Sequence, residues 1–224
     1  MEDMMKQELI MNAIIFICAL IGSVYGIRCF MREKKALYLQ MITCGVLSMM
    51  VARLFQVVYL IIHGSLNHGF HIGMLGTIGS FLFFFSANYG QMDGLVDDHT
   101  ARFRKTRIMS LLAPVIILIS YVYFYTFTDD MELRICVGVV AFFMMLSTYY
   151  NFKHIIIYDV DLGIIASLKW YNILALVYAI LTMVEYIAYY TFVWPVYIAA
   201  CLGISIVAIL ILPVLKGGVS KWTI

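Results

Sequence analysis

The sequence predicts an all-α integral membrane fold: one seven-transmembrane helix bundle over residues 1–224, N-terminus outside and C-terminus cytoplasmic. Three observations carry this expectation. The chain is 64% hydrophobic and only 12% charged, a make-up foreign to soluble globular domains. Seven apolar runs lie at 9–27, 37–62, 70–90, 108–127, 133–157, 168–191 and 196–215, each close to the roughly 20 helical residues that cross a hydrocarbon core of about 30 Å. The cationic residues fall on alternate gaps between those runs. Arg28, Arg32, Lys34 and Lys35 follow the first run, Arg102, Arg104, Lys105 and Arg107 the third, Lys153 and Lys169 flank the fifth-to-sixth connection, and Lys216 and Lys221 follow the seventh. The opposite gaps hold Lys6 and Arg134, and Arg53 lies inside a run. The positive-inside rule then puts the basic gaps in the cytoplasm.

The first run is preceded by the acidic Glu2, Asp3 and Glu8 and lacks a basic leader, so it is expected to stay as a helix and not to be cleaved as a signal. The second opens on Leu37-Tyr38-Leu39-Gln40 and carries Arg53. In the third, Gly69, Gly73, Gly76 and Ser80 recur every three to four residues, a small-residue ridge that lets helices approach closely. The fourth follows the densest basic loop, and the fifth ends on Tyr149, Tyr150, Asn151, Lys153 and His154. The sixth opens on Lys169-Trp170-Tyr171-Asn172 and carries Glu185, while the seventh is almost wholly aliphatic. All connections are short, so consecutive helices are antiparallel neighbours. Tyr38, Trp170, Tyr171, Trp194 and Tyr197 fall near span ends, where headgroup anchoring is the expected role. The five cysteines have no CxxC spacing and read as free thiols. Sliding the second run onto the sixth without a gap places Arg53 on Glu185, as a three-plus-one-plus-three parallel repeat requires.

Arg53 and Glu185 are the candidate functional centre. Each lies 17 residues beyond the start of its run, counted from Ala36 and Leu168, which is about 25 Å along a helix and therefore a shared depth in the outer half. Charges at that depth are costly unless paired or hydrated, and they face the bundle interior. Two readings stand: a buried ion pair that fixes packing, or a polar cavity open to the outside that holds a ligand, ion or proton. Gln56, Tyr59, Thr182, Tyr186 and Tyr189 are the expected companions. A second polar set, Asn88, Gln91, Asp93, Asp97, Asp98, Asn151, His154, Asp159 and Asp161, belongs at the inner face. It reads as solvated helix ends or as a relay or cation site. Arg102, Arg104 or Lys153 would pair there with Asp97, Asp98, Asp159 or Asp161, and surface pairs of that kind are weak.

The stretches FFSANYGQMDGLVDD and DVDLGIIASLKWYN resemble the inner ends of seven-span input regions of bacterial membrane sensor proteins, of the seven-span histidine kinase type. That resemblance implies spans that perceive a signal and pass helix movement to a cytoplasmic output. Only eight residues follow Lys216, so the expected output is another protein bound to the inner loops.

Several chemistries lack their residues. Run 196–215 has no lysine for a retinal Schiff base. His63, His68 and His71 sit at the outer edge, His99 in an inner loop and His154 alone, which leaves no facing pair for haem. Asp97-Asp98-His99-Thr100-Ala101-Arg102 lacks the glycine and spacing of a CDP-alcohol phosphotransferase signature, and HExxH and GxSxG are absent. No catalytic residue, cofactor or metal is expected, and the basic loops answer to topology and anionic lipid, not nucleic acid. The expected function is a stand-alone sensor or receptor-like protein of a bacterial inner (plasma) membrane. It would bind a small molecule, ion or proton and signal through its inner loops to a cytoplasmic or membrane partner. A small transporter or channel, or an accessory subunit of a membrane complex, is the alternative.

Overall fold

The computed structural model describes residues 2–31, 36–64, 70–94, 97, 101–157 and 164–219. These form α1 (Glu2–Phe30), α2 (Leu37–His63), α3 (Ile72–Ala87), a π-helical turn (Asn88–Asp93), a 3-10 turn (Ala101–Phe103), α4 (Arg104–Ser110), α5 (Leu112–Phe127), α6 (Met131–Ile156), α7 (Ile164–Tyr190) and α8 (Trp194–Val219). Among the described residues seven helical segments are long and apolar enough to cross a membrane, with α4 and α5 together making the fourth, Arg104–Phe127. The break at Leu111 has a local cause. Pro114 has no N–H to offer the Ser110 carbonyl, and its ring crowds that oxygen.

The ends are closed by identifiable caps. Gly64 ends α2 with φ 75°, and its N–H bonds to the Leu60 carbonyl, a left-handed conformation that glycine adopts without a Cβ penalty. Asp130 starts α6, its carboxylate accepting from the Glu132 and Leu133 N–H groups at 2.9 and 3.3 Å. Glu132 reaches across to accept the Phe70 N–H at 3.1 Å, tying the start of α6 to the start of α3. Along the α2–α3 seam the small-residue ridge meets its partner. A Cβ at Gly76 would lie 2.9 Å from the backbone of Ala52, so only glycine permits this approach.

Six helices close into a ring in the order α1, α2, α3, α6, α7, α8 and back to α1, with α5 packed outside on α6 and α7. Helices α2 and α7 therefore face each other across the middle. The face of the bundle on which α1 and α3 begin is called the N-face below, and the opposite one the C-face. Exposed side chains are dominated by Ile17, Ile61, Ile62, Ile119 and Ile206, while Arg53, Asn88, Asn151, Lys153 and Glu185 are buried. Apolar outside and polar inside is the arrangement that a hydrocarbon solvent favours.

The aromatic residues at span ends divide. Trp170 faces outward, but Tyr38, Tyr171 and Tyr197 are buried, which corrects their expected anchoring role. Successive helical residues point about 100° apart, so of the adjacent Trp170 and Tyr171 only one can meet lipid. Tyr171 turns inward and packs edge-on against Tyr38 at 6.3 Å.

Candidate functional site

Arg53 of α2 and Glu185 of α7 meet near the N-face, in a two-pronged ion pair with both N–O separations at 2.5 Å. Both residues are nearly sealed, at 5% and 7% exposure. The Arg53 Nη1 also donates to Asn12 Oδ1 of α1 at 2.9 Å and to Gln56 Oε1 at 3.1 Å. Asn12 in turn donates from Nδ2 to the Glu8 carbonyl at 3.0 Å. One guanidinium thus fastens three helices.

Beside this pair lies a small cavity of about 40 Å³, lined by Glu8, Asn12, Arg53, Gln56, His71, Glu185 and the tyrosines Tyr186, Tyr189, Tyr190 and Tyr197. A water molecule needs about 10–15 Å³ of such space, so the cavity has room for about three. Of the expected companions, Gln56, Tyr186 and Tyr189 line it. Tyr59 does not: six residues beyond Arg53 it has rotated about 120° off that face, and it stacks on His63 at 4.4 Å. Thr182 lies beneath the cavity, its hydroxyl donating back to the Tyr178 carbonyl at 2.8 Å.

Glu8, Asn12, His71, Tyr190 and Tyr197 are site residues that sequence reasoning missed. A signal for the first two existed. Glu8 and Asn12 share a helical face with Ile15, Ala19 and Ser23, all buried, and that face starts ahead of the apolar run. His71 precedes α3, where burial and the Arg53 charge push its imidazole down to about 4. It is therefore neutral near pH 7.

Below the ion pair the polar lining stops. The Ser80 and Tyr178 hydroxyls touch at 3.2 Å, and Tyr178 stacks on Phe81 at 4.9 Å. Phe81, Phe84, Tyr171, Ala175 and Tyr178 then fill the centre, all buried. This plug separates the cavity from a second polar cluster at the C-face.

That cluster begins with Asn88, whose Nδ2 donates to Asn151 Oδ1 of α6 at 2.5 Å and to Asn172 Oδ1 of α7 at 3.0 Å. Asn151 donates onward to Ser147 Oγ at 3.1 Å. The π-helical turn brings residues five apart to one side, so Asp93 follows Asn88 onto α6. Lys153 Nζ lies 2.6 Å from both Asp93 Oδ1 and Asp97 Oδ2. His154 Nε2 is 3.5 Å from Asp93, and Arg107 is 3.7 Å from Asp97.

The expected solvated surface pairs are thus corrected: Lys153 is 2% exposed, and Asp93 and Asp97 are buried with it. Burial alone would push the Asp93 carboxyl up. The close approach of His154 and the hydrogen bond and charge of Lys153 outweigh that and hold it below the usual carboxylate range. Arg107 joins Asp97, while the side chain of Arg102 falls outside the described residues. Gln91 lies in the π-helical turn, while Asp98, Asp159 and Asp161 fall outside the described residues. No group of three or more His, Cys, Asp or Glu among the described residues is arranged to hold a metal. The chain matches no protein-family model, no curated protein and no solved structure.

Proposed function

We propose that this protein is a seven-helix membrane sensor, receptor-like in layout, that takes a very small ligand in the N-face cavity and passes a helix shift to its C-face loops. The alternating basic gaps support an outside N-face and a cytoplasmic C-face, and the short connections support residence in a bacterial inner membrane. The observation that carries the reading is the blind cavity. It is about 40 Å³, lined by charged, amide and tyrosine side chains, and the buried Phe81, Phe84, Tyr171 and Tyr178 lie between it and the C-face cluster. Helix α7 links its two ends, holding Glu185 in the cavity and Asn172 in the C-face cluster. A ligand that binds one setting of α7 more tightly than the other shifts the population between them. The resemblance to seven-span sensor input regions supports the same reading, since those spans pass helix movement to a cytoplasmic output.

A secondary transporter is the second reading, favoured by the ring. The neighbour relations of α1–α3 are repeated by α6–α8, and such repeats frame transport sites. Reconstituted liposomes separate the two. A sensor holds pH and salt gradients, and Glu185→Gln alters amide exchange around Asn151 and Asn172 at the far end. Gradient dissipation that depends on Arg53 would establish transport instead. Tight liposomes with unchanged exchange would leave the ion pair a packing device.

A further inference from the structure

The fixed charges of the N-face cavity do not balance. Arg53 is matched by Glu185, one against one. Glu8 adds a second carboxylate, 5% exposed, and among the described residues no cation lies within 4.0 Å of it. Its partner is the Tyr189 hydroxyl, while Oε1 is buried with no hydrogen-bond partner. An unmatched buried charge is expensive in a low-dielectric interior.

The other groups facing Glu8 do not supply the missing charge. Arg53 and Gln56 of α2 are committed to the ion pair, and Asn12 is uncharged. His71, ahead of α3, is neutral, with its Nδ1 buried and unpaired. Glu185 of α7 adds like charge, and Tyr186, Tyr189, Tyr190, Tyr197 and the Cys201 thiol are neutral groups. A hydrated metal ion does not suit the site either. The space admits about three waters, Arg53 repels cations, and Glu8 presents a single unpaired oxygen. A proton satisfies both the charge and the volume.

We propose that Glu8 is the proton-binding site of this cavity: a proton from N-face water bonds to Oε1 and returns to that water as the pH rises. This rests on the sensor reading above and names its ligand. Deprotonation sets Glu8 against Glu185 on α7, and Asn12 carries the strain to Arg53 because it bonds both the Glu8 carbonyl and the guanidinium. The first turns of α1 and the N-face end of α7 are therefore the elements that part.

Trp194 is a built-in reporter, packed 6.3 Å from Tyr189 and 5.4 Å from Tyr197. In the full chain with Trp170→Phe and Trp222→Phe, held in nanodiscs, Trp194 fluorescence should titrate as a single-proton curve. Glu8→Gln should abolish that curve while keeping the helical circular dichroism, because the amide imitates the protonated carboxyl. Glu8→Asp should keep it with a displaced midpoint, and His71→Gln should leave it in place. A curve that persists in Glu8→Gln overturns the proposal. So does a midpoint that moves when sodium replaces choline at constant ionic strength, which would make the ligand a metal cation. If the proton site fails in this way while Glu185→Gln still alters C-face amide exchange, the sensor reading survives without it.

Discussion

Replacing Arg53 and Glu185 with methionine, singly and together, tests whether the two residues act as one unit. Arg53→Met leaves Glu185 almost bare: its remaining contact is the Cys201 thiol at 3.9 Å, a weak donor. Removing one partner of a buried pair costs about 3–5 kcal/mol, because the other charge stays buried and uncompensated. Glu185→Met leaves Arg53 with the amide oxygens of Asn12 and Gln56 but still unneutralised, so its cost falls in the same range. The double variant removes both charges and fills the space with apolar atoms of similar length. Such exchanges are neutral to stabilising in other buried pairs, so it should stand within about 1–2 kcal/mol of the parent. The resulting coupling energy is then at least about 4 kcal/mol. Unfolding in mixed micelles titrated with dodecyl sulfate, followed by far-UV circular dichroism, measures all four corners of the cycle. A double variant that loses the sum of the two single losses would refute the reasoning.

The remaining predictions concern other parts of the bundle. Gly76→Val should cost about 1–3 kcal/mol or more, because its Cβ meets the backbone of Ala52 and that backbone cannot step aside; Gly90→Ala, with nothing within 4 Å, is the control in the same unfolding assay. Asn88→Leu should cost about 1–3 kcal/mol by stranding the Asn151 and Asn172 oxygens, and amide exchange should quicken at the C-face ends of α6 and α7. The Asp93 carboxyl is held below its unfolded-state value of about 4. Its contribution is therefore fully present above that value and is lost as pH falls through the lower folded one. The unfolding midpoint should drop as the pH falls below about 4, and Lys153→Met should remove much of that drop. An unchanged acid limb in Lys153→Met would mean that other carboxylates govern it.

What the sequence made legible was whatever depends on counting along a helix. Seven spans, the Gly73–Gly76–Ser80 ridge and the shared depth of Arg53 and Glu185 all follow from length and spacing. Rotation was read well over one turn and badly over two: Gln56 stays on the Arg53 face, and Tyr59 does not. Glu8 was hidden by its position. Read as an acidic flank ahead of an apolar run, it is in fact well inside α1, which begins at Glu2. The hydropathy of a run marks where hydrocarbon begins, whereas the helix continues for as long as its hydrogen bonds are satisfied. The C-face failed for a related reason. A cluster of Asn, Asp, Lys and His at a helix end looks solvated until three helices close over it, and nothing local in the sequence says that they will.

The ring gives the two polar clusters a common origin in its geometry. The shift of 132 residues that carries Arg53 onto Glu185 also carries Glu8, Asn12, Ile15, Ala19 and Gly22 of α1 onto Val140, Met144, Ser147, Asn151 and His154 of α6, and all ten are buried. The two halves thus present corresponding faces to the interior. The polar residues of α1 and α6, however, lie at opposite depths: Glu8 and Asn12 near the N-face on α1, Ser147, Asn151 and His154 near the C-face on α6. In each of these five pairs a polar residue of one helix corresponds to an apolar residue of the other. Helices α2 and α7 instead meet across the middle with Arg53 and Glu185 at corresponding positions. Identical charges there would repel in a low dielectric, and an Arg facing a Glu turns that repulsion into the pair at the head of the plug.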